Sequence, residues 1–144
     1  MQIRAIAYDP ISKKSSPVSS ERFDISKKDW QLVGIDDERA YTIFDGNNNT
    51  SWNQNRDLKM PIDLVIDLGK TENLTGFRYL PPQRGGNGII THYQFYTSKD
   101  NKRWTLIDEG EFSNIQNNPL WQNKNFTPTE ARYLKFRALK NIRK

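Results

Sequence analysis

A run of oxygen-bearing side chains, DGNNNTSWNQNR at residues 45–56, is the part of the sequence best suited to chemistry. Asp45, Asn47 and Thr50 place a carboxylate, an amide and a hydroxyl in one short loop. A hard cation such as Ca²⁺ prefers about 6–8 oxygens of these kinds. The loop does not follow the EF-hand pattern, because Thr50 replaces its glycine and Arg56 replaces its final glutamate. Two interpretations follow: a cation-binding loop of another kind, or a loop whose side chains bond its own backbone.

The elements that must position this loop are short segments in which apolar and polar residues alternate, separated by glycine, proline and asparagine. That pattern is typical of antiparallel strands in a sandwich or barrel and predicts an all-β chain. Gly69 and the Pro81–Pro82 pair are expected to end strands, KDNK at 99–102 is a predicted turn, and TPTEA at 127–131 a predicted corner. The predicted strands are 2–8, 21–25, 62–68, 74–80, 90–98, 103–107 and 132–139.

The first 27 residues hold two of these strands and a proline-containing loop. Two strands cannot form an independent core. We therefore expect residues 1–27 to be the tail of a preceding small β module or a linker, and residues 28–144 to form the main domain. Trp30 is the expected packing anchor at the start of that domain.

Composition excludes several classes of function. The 144 residues include no cysteine, so disulfides and thiolate metal sites are absent. No segment approaches the roughly 20 apolar residues of a membrane span, so membrane insertion is not expected. The net charge is +5, but the basic residues are scattered, whereas a nucleic-acid groove needs them clustered with aromatics. We therefore expect no nucleic-acid partner.

Catalysis is also not expected. The chain has one histidine and lacks the Gly-x-Ser-x-Gly arrangement that exposes a nucleophilic serine. Two acidic pairs, Asp36–Asp37 and Asp108–Glu109, adjoin turns, and we interpret both as solvated surface because no neighbour in sequence would separate their pKa values.

Five segments together resemble a known family: AYTIFDGNNNTSW, PIDLVIDLG, LTGFRYLP, HYQFYTSKDNKRW and ARYLKFRAL. Over residues 30–139 they are similar, in order and spacing, to the discoidin or coagulation-factor (F5/8) type C domain. The chain looks most like the family 32 carbohydrate-binding modules attached to bacterial glycoside hydrolases of the hexosaminidase or fucosidase kind. The resemblance implies an eight-stranded, discoidin-like jelly-roll β-sandwich. It also implies a glycan ligand, a covalently attached hydrolase domain, and a secreted, periplasmic or cell-surface location.

In the resembled family the loop at residues 45–50 holds a structural calcium ion. Carried over by position, the ligands would be the Asp45 side chain, an oxygen of the Asn47 region, the Thr50 hydroxyl and carbonyl, and a carbonyl near Arg39. The family pattern adds a glutamate on a later strand, and this sequence has no counterpart of it before Lys144.

The resemblance also points to a sugar site that differs from the galactose-binding pattern. Asn53, Arg56 and Pro82 occupy the positions where galactose-binding members carry a histidine, an aromatic residue and an arginine. The galactose-type site is therefore altered or degraded. The residues that could still hold a glycan are Asn53, Arg56, Gln83, Arg84, Asn87 and Trp121.

Three functions remain open on this sequence. The first is a non-catalytic carbohydrate-binding module that targets an attached glycoside hydrolase to glycans. The alternative is a structural spacer or docking domain without sugar binding. A membrane- or protein-adhesion domain ranks last, because the loops NNNTS, QRGGNG and KDNK have no apolar residues to expose.

The remaining rings have structural interpretations. Trp30, Trp52 and Trp104 are expected to pack in the core. His92, the single histidine, is expected to be a structural hydrogen-bonding residue at the start of a strand.

Overall fold

The computed structural model describes residues 2–5, 8–9, 14–15, 19–22, 25–52, 59–83 and 88–142. Within those ranges the chain is mostly β-strand, as predicted, with one 3-10 helix at Glu38–Phe44. The strands are β1 Gln2–Ala5, β2 Tyr8–Asp9, β3 Lys14–Ser15, β4 Ser19–Arg22, β5 Gln31–Val33, β6 Ile62–Tyr79, β7 Ile90–Ser98, β8 Thr105–Glu111 and β9 Gln122–Asn141.

The main sheet has five antiparallel strands in the order β5-β6-β9-β7-β8. Its long central strands, β6 and β9, pair along most of their length, so that Leu64 lies opposite Phe136 and Ile66 opposite Leu134. On the other face of this pair the carboxylates meet arginines. Asp63 accepts from Arg137 at 2.6 Å and Asp67 from Arg132 at 3.0 Å. The period-2 alternation of the sequence therefore separates an apolar face from a charge-paired face.

Bulges change the predicted strand boundaries. The register of β6 against β9 shifts between Asp67 and Glu72 and again between Leu74 and Gly76. Gly69 was expected to end a strand; instead it adopts φ +82° within β6, and pairing resumes beyond it. The predicted strands 62–68 and 74–80 are thus parts of one bent strand, and the predicted corner at 127–131 is likewise inside β9.

The other boundaries differ less. The 90–98 strand is confirmed, and β8 begins two residues after the predicted start and runs on to Glu111. In the amino-terminal part β1 pairs with β4 and β2 with β3. The division of the chain at residues 27 and 28 stays a prediction.

Two apolar clusters form the core. The first contains Leu32, Ala40, Ile66, Leu68, Leu74 and Ala131, with Trp30, Phe44 and Trp52 packed against it. The second is aromatic and contains Ile89, Tyr93, Phe95, Phe112 and Ile115, with Phe77, Tyr79 and Phe136 against it. Phe126 and Leu134 pack against both clusters. Both clusters contain or contact residues of β6 and β9, so these two long bent strands connect them.

Candidate functional site

Asp37 organises the approach to the polar loop. Its carboxylate caps the 3-10 helix by accepting from the Arg39 backbone N–H at 3.0 Å, and it also accepts from the Arg39 guanidinium and from Trp52 Nε1, each at 3.0 Å. The Arg39 hydrogen bonds, followed by the Trp52 bond, lower the pKa of Asp37 to about 2. The Asp37 side chain is 26% exposed, so it lies at the surface, but the expectation that no neighbour in sequence would shift its pKa is wrong. The expected core packing of Trp52 is confirmed.

The loop that begins at Asp45 bonds to itself. Asp45 Oδ1 accepts from the Asn47 backbone N–H at 2.7 Å, and Asn47 Oδ1 accepts from the Asn49 backbone N–H at 3.0 Å. The Thr50 hydroxyl donates to Asp45 Oδ2 at 2.7 Å or to the Asn47 carbonyl at 2.9 Å. The bonds from Asn47 and Thr50 lower the pKa of Asp45, which keeps it ionised. The side chains thus make the local backbone bonds that the second interpretation of this loop requires.

The same loop has the donor chemistry of a calcium site. Asp45 Oδ2 and the Asn47 carbonyl both lie within hydrogen-bond distance of the Thr50 hydroxyl oxygen, at 2.7 and 2.9 Å. Oxygens that ligate one Ca²⁺ at about 2.3–2.6 Å approach each other to a similar distance. One hydroxyl proton serves only one of these two acceptors at a time, so the other oxygen keeps a lone pair that a cation would take. The residues present therefore fit the ion.

The fourth predicted ligand is the Arg39 carbonyl, whose hydrogen-bond partner lies ahead of the loop at residues 45–50. The Arg39 carbonyl accepts from the Thr42 hydroxyl at 2.8 Å, while the Arg39 side chain contacts Asp37. In the part of the chain that the structure describes, no group of three or more His, Cys, Asp or Glu residues is arranged for a metal. Any cation at residues 45–50 would thus rely on neutral oxygens around one carboxylate.

A second polar region joins the loop that follows β6 to the loop that precedes β9. Gln83 Nε2 donates to the carbonyls of Pro81 and Pro119, each at 2.9 Å. One amide group thereby ties the segment after β6 to the segment before β9. We call residues 80–83 and 118–121 together the loop face. The structure gives Gln83 a positioning role, because its amide nitrogen is used by these two carbonyls.

Trp121 is the aromatic side chain of the loop face. It is 41% exposed, and the neighbouring Leu120 is 59% exposed. The guanidinium carbon of Arg78 lies 4.6 Å from the centroid of its ring. The guanidinium thus covers one face of this ring, and the exposed remainder of the indole offers an apolar surface for stacking.

The structure bonds Gln83 to the carbonyl of Pro119, two residues before Trp121. The other predicted sugar-binding residues, Asn53, Arg56, Arg84 and Asn87, lie outside the described residues. Arg78 was missed by sequence reasoning. It follows Phe77 in an ordinary strand pattern, and only the register that sets Arg78 opposite Asn123 brings it near Trp121.

The structure also tests the expected roles of His92, Trp104 and the Asp108–Glu109 pair. His92 makes a 3.0 Å contact between its Nδ1 and the Thr91 hydroxyl, in keeping with a structural role. Trp104 belongs to neither core cluster; Lys135 Nζ lies 4.5 Å from its ring, so its assignment to the core is wrong.

In the Asp108–Glu109 pair, Glu109 is exposed as expected, and both acids have hydrogen-bond partners. Asp108 accepts from the buried Tyr93 hydroxyl at 2.5 Å, and Glu109 accepts from Gln94 at 2.9 Å. Burial is the main cause of the raised pKa of Tyr93, and the Asp108 bond adds to it.

A separate cleft of about 650 Å³ lies at the far end of β7. Its walls carry hydroxyls, both signs of charge and a few apolar groups. The lining includes Ser98, Asp100, Arg103, Ile107, Pro128 and Glu130. Asp100 and Ser98 are already engaged in capping the 99–102 turn.

The class of protein follows from comparison with known families. The F5/8 type C domain matches residues 17–144, and the chain belongs to that family. The match begins ahead of the predicted boundary at residue 28. The predicted discoidin-like β-sandwich is confirmed by this membership and by the solved structures that the fold resembles.

Two of those solved structures are carbohydrate-binding modules from Clostridium perfringens. The family 32 module of NanJ in complex with galactose is 26% identical with a TM-score of 0.71, over 82% of this chain and 88% of that one. A module from a family 31 glycoside hydrolase is 31% identical with a TM-score of 0.65, over 80% of this chain and 81% of that one.

Among curated proteins, a sialidase from Micromonospora viridifaciens is 28% identical over 82% of this chain. The chain spans only 18% of the length of that sialidase. Its membership of this family and its likeness to these modules make the chain a non-catalytic module, as the sequence predicts. Among the described residues, no helix has the length and apolar character to cross a membrane.

Proposed function

We propose that the chain binds a glycan at its loop face and so directs an attached glycoside hydrolase to its substrate. The observation that carries this proposal is the exposed Trp121, which the Gln83 bridge positions at the start of β9. A pyranose has an apolar C–H face that stacks on such a ring, while polar groups at its rim discriminate among sugars.

The neighbours support the ligand class, and the family resemblance of the sequence supports an altered site. The NanJ module was solved with galactose, which supports a saccharide as the ligand. In this chain Asn53, Arg56 and Pro82 replace the polar and aromatic groups that the galactose pattern supplies. We therefore infer that the site accepts a sugar other than galactose, or galactose only weakly. Secretion with the parent enzyme belongs to the same proposal.

The direct test is a glycan array followed by calorimetric titration of the best hits. We expect weak binding, with Kd on the order of 10⁻⁴ M, because a small site offers few contacts. Trp121→Ala should lower the affinity at least tenfold, the loss expected when one stacking ring is removed. Trp104→Ala, which removes a ring from the outer sheet face, is the matched control and should bind as the wild type does.

A structural spacer without sugar binding is the second candidate. It is favoured by the use of Gln83 as a tether and by the cover that Arg78 places over one side of the Trp121 ring. A wild-type array with no hit would select this candidate over the glycan-binding module.

We also propose that residues 45–50 bind Ca²⁺ as a structural ion, with Asp45, Asn47 and Thr50 as ligands and the Arg39 carbonyl joining them. The short contacts among their oxygens support this assignment. The ion would hold the loop in place of its internal hydrogen bonds and would take no part in chemistry.

Thermal unfolding with added calcium or with a chelator tests the ion. Wild-type protein should gain several degrees in Tm from calcium, because a ligand that binds the folded state stabilises it by mass action. Asp45→Asn should abolish that gain. Asp100→Asn is the control, since Asp100 also accepts from backbone N–H groups but belongs to the separate turn at residues 99–102. An equal Tm with and without calcium would mean that the hydrogen bonds alone hold the loop.

A further inference from the structure

Tyr79 is the last residue of β6 and lies where both segments of the loop face leave the main sheet. Its backbone pairs with that of Gln122, the residue that follows Trp121. Its hydroxyl accepts from the Ile90 backbone N–H at 3.1 Å, across 11 positions of the chain. One residue therefore contacts the strand next to Trp121 and the start of β7.

The aromatic core cluster holds the Tyr79 ring in place. Its centroid lies 5.0 Å from that of Phe112 and 6.0 Å from that of Phe136. Burial raises the pKa of the Tyr79 hydroxyl to about 12, and the bond from Ile90 offsets part of this effect, so the group is neutral at physiological pH. A side chain anchored in the core thus presents an uncharged oxygen to Ile90.

The connection between β6 and β7 is held at both ends. At its start Pro81 is buried, and Gln83 donates to the Pro119 carbonyl. At its end β9 binds the Ile89 carbonyl, which accepts from the Ile142 N–H at 3.0 Å, whereas the Ile90 N–H is bound by the Tyr79 side chain. A connection fixed at both ends has fewer conformations than one fixed at a single end.

We propose that Tyr79 is a positioning residue of the glycan site, whose core-anchored hydroxyl holds the end of this connection and so keeps the loop face in one shape. This inference rests on the glycan-binding function proposed above and adds a residue that acts on the site without touching the sugar. A site that is already ordered binds its ligand at a lower entropic cost.

The test removes the hydroxyl and keeps the ring. Tyr79→Phe retains the contacts with Phe112 and Phe136, so the variant should fold. The best glycan of the array is titrated by calorimetry into the whole chain, well below the Tm of each variant. The affinity should fall roughly threefold or more, in keeping with the loss of one hydrogen bond.

Tyr93→Phe is the matched control. Tyr93 belongs to the same aromatic cluster, but its hydroxyl donates to Asp108 on β8 and not to the connection between β6 and β7. The control removes the same atom from the same part of the core and should leave the glycan affinity unchanged. A purely structural hydrogen bond changes stability but not the Kd of a fully folded chain, so the affinity separates the two roles.

Two further measurements locate the effect. In the free chain, hydrogen exchange of the Ile90 amide should be faster in Tyr79→Phe than in the wild type, while that of Phe95 in the middle of β7 should not change. The affinity loss of Tyr79→Phe combined with Gln83→Ala should be smaller than the product of the two separate losses, because both side chains order the same connection.

The contrary outcomes are distinguishable. A wild-type chain that binds no glycan would overturn the glycan-binding function and this inference with it. If the wild type binds and Tyr79→Phe binds equally well, only the positioning role is overturned. Equal affinity losses in Tyr79→Phe and Tyr93→Phe would overturn it too, because they would reflect a general loosening of the core. An Ile90 amide that exchanges at the wild-type rate in Tyr79→Phe would have the same meaning.

Discussion

Trp52 and Trp121 both lie in polar, loop-like sequence, yet the structure uses them in opposite ways. Trp52 packs against the first core cluster and donates its indole N–H to Asp37 at 3.0 Å. Trp121 is 41% exposed and has the Arg78 guanidinium over its ring. One ring is partly buried and hydrogen-bonded within its own chain, and the other is more exposed and lies two residues after the Pro119 carbonyl that Gln83 binds.

This difference teaches how to separate a packing tryptophan from a binding one. A buried indole N–H needs an acceptor, and Asp37 supplies it within the same polar region. An exposed ring has no such need, so its place on a tethered loop is better explained by a ligand. Substitution of Trp52 should therefore lower the stability of the fold, whereas substitution of Trp121 should lower the glycan affinity.

The largest expected effect is on stability at Trp52. Trp52→Ala should lower the free energy of unfolding by about 3 kcal/mol, because it removes a ring packed against the core and leaves Asp37 without one of its donors. Urea denaturation followed by circular dichroism measures this loss.

Trp52→Phe keeps a ring and should recover part of the stability. Trp121→Ala, measured in the same way, should cost under about 1 kcal/mol because the ring is exposed. Equal losses at the two tryptophans would break the comparison.

A smaller effect is expected at Gln83. Gln83→Ala removes the hydrogen bond to the Pro119 carbonyl that joins the two segments of the loop face, together with the local hydrogen bond to the Pro81 carbonyl. The glycan affinity should fall several-fold because Trp121 is no longer held in one position, an entropic cost that binding must then meet. Titration against the best glycan of the array measures it, and Gln31→Ala, an exposed glutamine on β5, is the control. An unchanged affinity would show that the bridge does not position Trp121.

Sequence patterns were sufficient for the strand character and for the role of some rings. The alternation in 62–68 and 90–98 sets one face of each strand inward, and the packing of Trp30 and Trp52 follows from their apolar surface. The bends were not predictable in the same way. Gly69 is an ordinary strand terminator in a pattern, and only pairing with β9 carries the chain through it as a bulge.

The sequence predicted which residues lie at the candidate site better than it predicted what each of them does there. Trp121 and Gln83 were both proposed as sugar contacts, but the bond of Gln83 to Pro119 depends on two loops 36 residues apart meeting in space. Arg78 and Asp37 show the same limit. Their partners, Trp121 and Trp52, are distant in the chain, and a local sequence pattern does not predict contacts between distant residues.

The most direct test of the glycan-binding account uses the four tryptophan indole N–H groups as reporters. In a proton–nitrogen correlation spectrum each gives one signal, and glycan is added to the ¹⁵N-labelled chain. The account predicts that the Trp121 signal moves and those of Trp30, Trp52 and Trp104 do not, with backbone shifts concentrated at residues 80–83 and 118–121. Shifts centred instead on the cleft at the far end of β7, with Trp121 unmoved, would contradict it.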